Sequence, residues 1–319
     1  MDTTTKKLAH RLLGGVMGKE KLRISPTLWA QARALYEKRP GIGRQQLARA
    51  LKISERRASQ LLFALANQDI IRGKQIDDTK PPKGKKLKIV FLCDFHLPYH
   101  DQQAVDVALD ETAKFTPDII ILGGDVVDFY QISVYSKDER LFKFIEDRDY
   151  TLDFLEMLRK SFPNVVIHYL QGNHEERLER FLWDRVPEIA KLEELNITEL
   201  LRLEKFNIHY HVKPLRIGNL RFLHGHEYRG CPGTINVART IFLKALENVV
   251  FGHWHVSQTY CQPSIDDTYK GGWSVGCLCD LHPKYKPLNK WIHGLAKITI
   301  YEDNKFEIQN LKIIEGKAL

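Results

Sequence analysis

Cysteine is scarce in this sequence, since its 319 residues contain five, at Cys93, Cys231, Cys261, Cys277 and Cys279. A sparse, odd-numbered set without a Cys-x-x-Cys pair does not build a disulfide framework or a zinc knuckle, so we expect reduced thiols. Long apolar runs are also missing. The chain has no uncharged apolar stretch of about 18 residues, and residues 1–21 lack the apolar segment of a secretion signal. We therefore expect a cytoplasmic protein without a membrane partner.

Acidic residues are scarce in the N-terminal part of the chain. Residues 1–87 contain 20 Lys and Arg against 7 Asp and Glu, a net charge of +13, while residues 88–319 contain 28 against 33, a net charge of −5. A basic segment of this kind is typical of a nucleic-acid contact. It is equally typical of a solvated basic face without a partner, and charge alone does not choose between the two.

Helical spacing and capping predict a small all-α domain over residues 25–74, after a basic arm over residues 1–24. A first helix begins at Ser25-Pro26, a short second helix begins at Arg44, and a longer third helix follows the break at Ser54. This order resembles a helix-turn-helix with a wing-like end. The resemblance implies that the third helix enters the major groove, with nucleic-acid contacts from Arg44, Arg56, Arg57, Ser59 and Gln60. We expect DNA rather than RNA, and docking to a protein partner is the alternative.

A lysine-rich segment with Pro81-Pro82 spans residues 75–86 and has the composition of a stiff, extended linker. Beyond it, apolar runs of strand length alternate with amphipathic helical segments, which indicates parallel βαβ units. Hairpin turns such as Gly218-Asn219 follow in the C-terminal half. We therefore predict one α/β domain over residues 87–319.

Short polar blocks follow several of the apolar runs. They are Asp94-Phe95-His96, Gly124-Asp125-Val126-Val127-Asp128, Gly172-Asn173-His174-Glu175, His224-Gly225-His226 and Gly252-His253-Trp254-His255. Open α/β sheets present their ligands at the carboxyl ends of the strands, so these loops can converge on one pocket. A single histidine carries little weight by itself. The five blocks taken together, in this order along the chain, are much stronger evidence for a common site.

These blocks resemble the motifs of the calcineurin-like metallophosphoesterases, and the resemblance runs from residue 87 to about residue 314. It implies an α/β sandwich of the metallo-dependent phosphatase type, with two mixed β-sheets flanked by helices. It also implies a centre for two divalent ions, with manganese expected first and iron, zinc, cobalt or magnesium as alternatives. Asp125 would bridge the two ions. The implied metal ligands are Asp94, His96, Asp125, Asn173, His224, His253 and His255.

The resemblance also implies catalytic roles for His174 and Asp128. His174 would protonate the leaving oxygen, and Asp128 would hold that imidazole in one tautomer and raise its pKa. Protein phosphatases of this superfamily carry Arg-Gly after the second Asp of the block, whereas this chain has Phe129-Tyr130, which argues against that subtype. Three arginines are candidates for a phosphate clamp, namely Arg177, Arg180 and Arg239.

Three functions remain open from the sequence. The first is a phosphoesterase acting on nucleic acid, as a nuclease or an end-processing phosphatase, to which the N-terminal domain binds. The second is a phosphatase or phosphodiesterase of nucleotides or other small phosphoesters. The third is a DNA-binding regulator with an inactive phosphoesterase body, although the complete set of metal ligands argues against it.

Overall fold

The structure is a computed structural model that describes residues 31, 32, 34, 35, 38, 44–54, 58, 86–135, 138, 143–228, 235–265 and 268–319. Internal contacts divide the chain into two units, Met1–Asp77 and Asp78–Leu319. In the first unit, helix α1 spans Arg44–Leu51 and buries Leu47. The side chain of Arg44 and the residues Arg56, Arg57, Ser59 and Gln60 lie outside the described part. The helix-turn-helix and the domain boundaries at residues 24, 74 and 86 therefore stay predictions.

The second unit contains all the strands that the structure describes. In chain order they are β1 (Leu87–Leu92), β2 (Ile119–Leu122), β3 (Val166–Leu170), β4 (Ile208–His211), β5 (Leu215–Ile217), β6 (Leu220–Leu223), β7 (Val249–Phe251), β8 (Gln258–Pro263), β9 (Tyr269–Ser274), β10 (His293–Ile300), β11 (Phe306–Ile314) and β12 (Lys317–Ala318). Its helices are α2 (Gln102–Phe115), α3 (Phe144–Ser161), α4 (Asn173–Arg185), α5 (Ile197–Leu200) and α6 (Val237–Ala245), with 3₁₀ turns at Tyr130–Ile132 and Glu193–Leu195.

Two mixed sheets organise this unit. The first has the order β12-β11-β10-β1-β2-β3-β4 and the second the order β5-β6-β7-β9-β8. Strands β1 to β4 are parallel, and β10 joins β1 antiparallel at the other side. In the second sheet β6, β7 and β9 are parallel, and β5 and β8 pair antiparallel at its two edges. The prediction of two mixed sheets flanked by helices is confirmed.

From Ile89 to Leu92 strand β1 is buried on both faces, which explains why this part of its sequence is a continuous apolar run. Ile89 and Phe91 belong to the core between the sheets, where the ring of Phe91 lies 6.1 Å from that of Phe222. Val90 and Leu92 belong to the core on the helical side. Because side chains alternate along a strand, a strand covered by a sheet on one face and helices on the other must be apolar throughout.

Parallel pairing brings the polar blocks to one edge. Strands β1, β2 and β3 run in the same direction, so the segments that follow them, beginning at Asp94, Asp125 and Asn173, leave the same side of the first sheet. Strands β6 and β7 are likewise parallel and lead to His224 and His253. Among the described residues, no helix has both the length and the apolar character needed to cross a membrane.

Candidate metal centre

Five of the residues predicted to bind metal have an unusual backbone conformation. Their φ angles are positive: 56° at Asp94, 52° at His96, 50° at Asp125, 67° at His253 and 57° at His255. Residues other than glycine rarely adopt this left-handed region, and each instance costs on the order of 1–3 kcal/mol. Such strain persists only where the surrounding structure enforces it. The strands therefore end in loops that are held under strain at the predicted ligands.

Glu175 supplies part of that enforcement and is fully buried. Its carboxylate accepts hydrogen bonds from the backbone amides of Asp125 at 3.0 Å, Val126 at 2.9 Å and Gly172 at 2.8 Å, and from the Tyr169 hydroxyl at 2.6 Å. No role for Glu175 was predicted from the sequence. A signal was present, because a glutamate three residues after a helix N-cap commonly bonds back to the cap.

The first group of side chains gathers around Asp94. Its Oδ1 lies 3.3 Å from His255 Nε2, and His255 Nε2 lies 3.3 Å from His96 Nε2. The amide of His253 donates to both carboxylate oxygens of Asp94, at 3.0 and 2.9 Å. Burial raises the pKa of Asp94, but the neighbouring His255 and His224 outweigh it and bring the pKa to about 2. The carboxylate is therefore ionised in the interior of the protein.

The second group gathers around Asp125. His224 Nε2 lies 3.2 Å from Asp125 Oδ2 and 3.1 Å from Asn173 Oδ1. The ring of His253 stacks edge-on against that of His224, with the centroids 5.0 Å apart. Burial lowers the pKa of His224, but Asp125 and Asp94 outweigh it and raise the pKa to about 10. The buried carboxylates thus attract positive charge strongly.

The donor atoms of both groups fit divalent cations. One ligand atom each from Asp94, His96 and Asp125 lies within 4.8 Å of the others, and the same holds for Asp125, His224 and His253. Asp125 belongs to both sets, as a bridging carboxylate would. Asn173 reaches the second set through its contact with His224.

The non-ligating ring nitrogens support the same fit. His96 Nδ1 donates to the Asp128 carboxylate at 3.1 Å, and His224 Nδ1 donates to the Gly123 carbonyl at 2.8 Å. Metal-binding histidines usually bond through their second nitrogen in this way, which fixes the tautomer and aims Nε2 at the ion. The seven predicted ligands are therefore brought together, although their coordination of metal remains a prediction.

His174 lies beside these groups, and its partners differ from those we expected. Its Nδ1 donates to the backbone carbonyl of Asp128 at 2.8 Å and lies farther, at 3.5 Å, from the Asp128 carboxylate, which instead contacts His96. Arg177 donates to His174 Nε2 at 3.0 Å. The tautomer of His174 is thus fixed by a carbonyl, while the Asp128 carboxylate orients a predicted metal ligand.

The pKa of His174 is shifted in the direction opposite to our expectation. Burial lowers it to about 4, and His96 and Arg177 act in the same sense, against the raising effects of Asp125 and Asp128. The sequence indicated the carboxylates but not the depth of burial or the neighbouring cations. Desolvation therefore decides the protonation of this imidazole.

Two further residues at the centre were not identified from the sequence. Cys279 Sγ lies 3.6 Å from His255 Nδ1, and the Trp291 ring lies 4.2 Å from that of His255. Of the three candidate arginines, only Arg177 has contacts here among the described residues. Arg180 bonds to Glu176 at the surface, and Arg239 lies over the Tyr260 ring.

Among known protein families, one family model matches the chain. Residues 87–269, more than half of the chain, match the family model described as calcineurin-like phosphoesterase. A search of the curated proteins finds no significant match.

Several solved structures are similar to the chain. Vps29 from Entamoeba histolytica complexed with Zn²⁺ is 12% identical, with 73% of this chain and 96% of that chain covered and a TM-score of 0.39. YfcE, a phosphoesterase from E. coli, is 14% identical, with 70% and 99% covered and a TM-score of 0.33. The Pseudomonas putida nuclease MPE is 12% identical, with 69% and 87% covered and a TM-score of 0.30.

Proposed function

The chain belongs to the calcineurin-like phosphoesterase family, and from that premise we propose that it hydrolyses phosphate esters of nucleic acid with the help of two divalent metal ions. The observation that carries the proposal is the convergence of the predicted ligands on two overlapping groups that share Asp125. A shared short carboxylate is the arrangement that a pair of ions requires.

In the proposal, the residues of the centre have two kinds of role, metal binding and proton transfer. In the proposal Asp94, His96 and His255 hold the first ion, and Asn173, His224 and His253 hold the second. When bound, two such ions would polarise the phosphate and lower the pKa of a water molecule, so that the water loses a proton and can attack the phosphorus. The carbonyl of Asp128 and the carboxylate of Glu175 contribute by keeping His174 and the Asp125 loop in position.

His174 is the proposed proton donor to the leaving oxygen. Its Nδ1 is committed to the Asp128 carbonyl, so Nε2 is the atom from which a proton can pass. A bound phosphate adds negative charge beside Nε2 and raises the low pKa of this imidazole, which favours the protonated form when substrate is present. Arg177, which contacts Nε2, is placed to attract the same phosphate and to leave the imidazole as it does so.

Nucleic acid is the proposed substrate because of the N-terminal charge. The +13 of residues 1–87 supports a polyanionic partner. In the proposal a helix-turn-helix over residues 25–74 binds DNA through Arg44, Arg56, Arg57, Ser59 and Gln60 and delivers the catalytic unit to it. Manganese is the first metal to test.

One set of assays tests the function. The purified protein is incubated with an aryl phosphomonoester, an aryl phosphodiester and a panel of labelled single- and double-stranded oligonucleotides, each with manganese and with a chelator. We expect metal-dependent cleavage of the diester and of at least one oligonucleotide. Cleavage of small esters alone would favour the small-phosphoester alternative. No cleavage with metal bound would favour the inactive regulator and refute the proposal.

A further inference from the structure

A basic and aromatic loop lies between β9 and β10, after the β-bridge at Cys279. We name residues 280–292 the rim loop. It contains the lysines Lys284, Lys286 and Lys290 and the aromatic residues Tyr285 and Trp291. Its acidic content is one residue, Asp280, in a region whose net charge is −5 over residues 88–319. Positive charge is therefore concentrated locally, against the balance of the surrounding chain.

The rim loop is fixed beside the candidate metal centre. The Trp291 ring packs on His255 with centroids 4.2 Å apart, and the Trp291 amide donates to Asn289 Oδ1 at 2.8 Å. The amide nitrogen of the Asn289 side chain donates to the carbonyls of Leu281 at 2.6 Å and Lys286 at 2.8 Å. Asn289 thus closes the loop on itself, and Trp291 ties it to a predicted ligand of the first ion.

The three lysines of the rim loop are exposed and available for a partner. Within the part of the chain that the structure describes, no carboxylate pairs with the side chain of Lys284, Lys286 or Lys290. Lys286 lies over the Trp291 ring, with its Nζ 5.3 Å from the centroid. As far as the described residues show, these three charges therefore have no ion-pair partner within the protein, and they lie in the loop beside the candidate metal centre.

Tyr285 is an exposed aromatic residue beside Trp291. The residue is 73% exposed, and its ring lies 6.3 Å from that of Trp291. This exposure leaves much of the ring open to solvent, next to the residue that packs on His255.

Resting on the proposed phosphoesterase function, we propose that the rim loop binds a single-stranded segment of the nucleic acid whose phosphate is hydrolysed. A base stacks on the open face of Tyr285, and the phosphates next to the scissile one contact the lysines. Proteins that bind single strands combine a basic surface with aromatic rings in this way, because only an unpaired base offers its face to a ring. An acidic peptide would use the lysines but would not require the tyrosine ring.

The test compares two substrates in the full-length protein. The kcat/KM for a labelled pentanucleotide is divided by that for a small aryl phosphodiester, which lacks the neighbouring phosphates and bases that the loop would bind. Replacing all three lysines (K284A, K286A and K290A) should lower this ratio roughly tenfold or more. It should also flatten the log–log salt dependence of pentanucleotide cleavage by about two units, since each phosphate contact on a single strand contributes about 0.7.

Tyr285 is tested separately from the charges. Tyr285→Ala should lower the same ratio by about tenfold, within the range of losses seen when a stacking aromatic is removed. Tyr285→Phe should restore most of it, because the ring face is kept. The matched control for charge is the triple replacement K191A, K205A and K312A, which removes three exposed lysines from the same unit and should leave the ratio unchanged. Bound metal is measured in every variant.

The outcomes separate the loop from the chemistry. An unchanged ratio in the rim-loop variants, or an equal fall in the control, would overturn the role of the rim loop while leaving the phosphoesterase function standing. If the intact protein binds metal but cleaves neither substrate, the proposed function fails. The role of the rim loop is then tested by fluorescence anisotropy with the labelled pentanucleotide at low salt. Equal binding by the intact protein and the rim-loop variants would overturn that role.

Discussion

The carboxylate of Glu175 lies directly behind the backbone of Asp125, whose amide donates to Glu175 Oε2 at 3.0 Å. Asp125 has a φ of 50°, and its side chain belongs to both groups of candidate ligands. A buried residue that bears no proposed metal contact therefore holds the strained loop from which the shared ligand projects. The geometry of the candidate metal centre therefore depends on hydrogen bonds to a residue that is not itself a predicted ligand.

Replacing that carboxylate should loosen the loop. In Glu175→Gln an NH₂ group takes the place of an oxygen that accepts backbone amides, so a buried donor faces buried donors. We expect the free energy of unfolding to fall by about 1–3 kcal/mol, with a parallel loss of bound metal measured by mass spectrometry. Glu176→Gln is the matched control, because the neighbouring Glu176 pairs with Arg180 at the surface. Equal behaviour of the two variants would contradict the assignment.

Asp125→Asn should release both ions, because the shared ligand serves both groups. An amide oxygen is a weaker ligand than a carboxylate and cannot balance the charge of two cations. We expect hydrolysis to be abolished and metal content to fall at both sites, while far-ultraviolet circular dichroism shows a retained fold. Asp106→Asn, at an exposed position on α2, is the control. Two ions still bound at full occupancy would show that Asp125 does not bridge.

His174→Ala separates proton donation from metal binding. We expect both ions to remain and kcat to fall by on the order of 10²–10⁴ for an ester with a poor leaving group, the usual value of general acid catalysis. An ester with an activated leaving group needs little protonation and should be affected much less. The exposed His209→Ala is the control. Loss of metal together with an equal loss on both esters would make His174 a ligand.

The stability of the metal-free protein should depend on His168. Burial, His211 and His209 lower the pKa of His168 from 6.5 to about 3. Between these values the unfolded state takes up a proton that the folded state does not, so stability falls as the pH drops below 6.5. The contribution of this residue is about 1.4 kcal/mol per pH unit.

His168→Gln removes that titration. Chemical denaturation at several pH values between 6.5 and 4 should show a pH dependence that is shallower by about this slope. His209→Gln, at an exposed position of β4, should change the slope far less. A slope unaltered by His168→Gln would mean that the imidazole is protonated in the folded protein too.

Binding of duplex DNA should depend on Arg56 and Arg57. Each neutralised phosphate contributes about −0.9 to the log–log salt slope. Replacing both arginines by alanine in the full-length protein should therefore weaken binding and flatten the slope by about two units, measured by anisotropy. Replacing Lys191 and Lys312 removes the same charge from the catalytic unit and is the control. Equal slopes in the two double variants would favour a protein-docking role for residues 25–74.

The sequence by itself determined the fold of residues 87–319 and the order of the polar blocks. Apolar runs such as β2 and the Ile89–Leu92 part of β1 are local features, because a strand covered on both faces must be apolar where it is covered. The capping of α2 by Asp101, whose Oδ1 accepts the Ala104 amide at 2.8 Å, is equally local. Helical spacing and capping residues are local as well, and the helix-turn-helix that they indicate over residues 25–74 stays a prediction.

Only the tertiary structure decided how the predicted residues divide their roles. Asp128 and His96 are 32 residues apart, and Glu175 is 50 residues from Asp125, so no local pattern could pair them. The pKa of His174 likewise depends on burial, which is set by every segment packed around it. Strands, helix caps and the order of the polar blocks can be predicted from the sequence because they depend on local chemistry. Hydrogen-bond partners and protonation states cannot, because they depend on distant segments that pack together and exclude water.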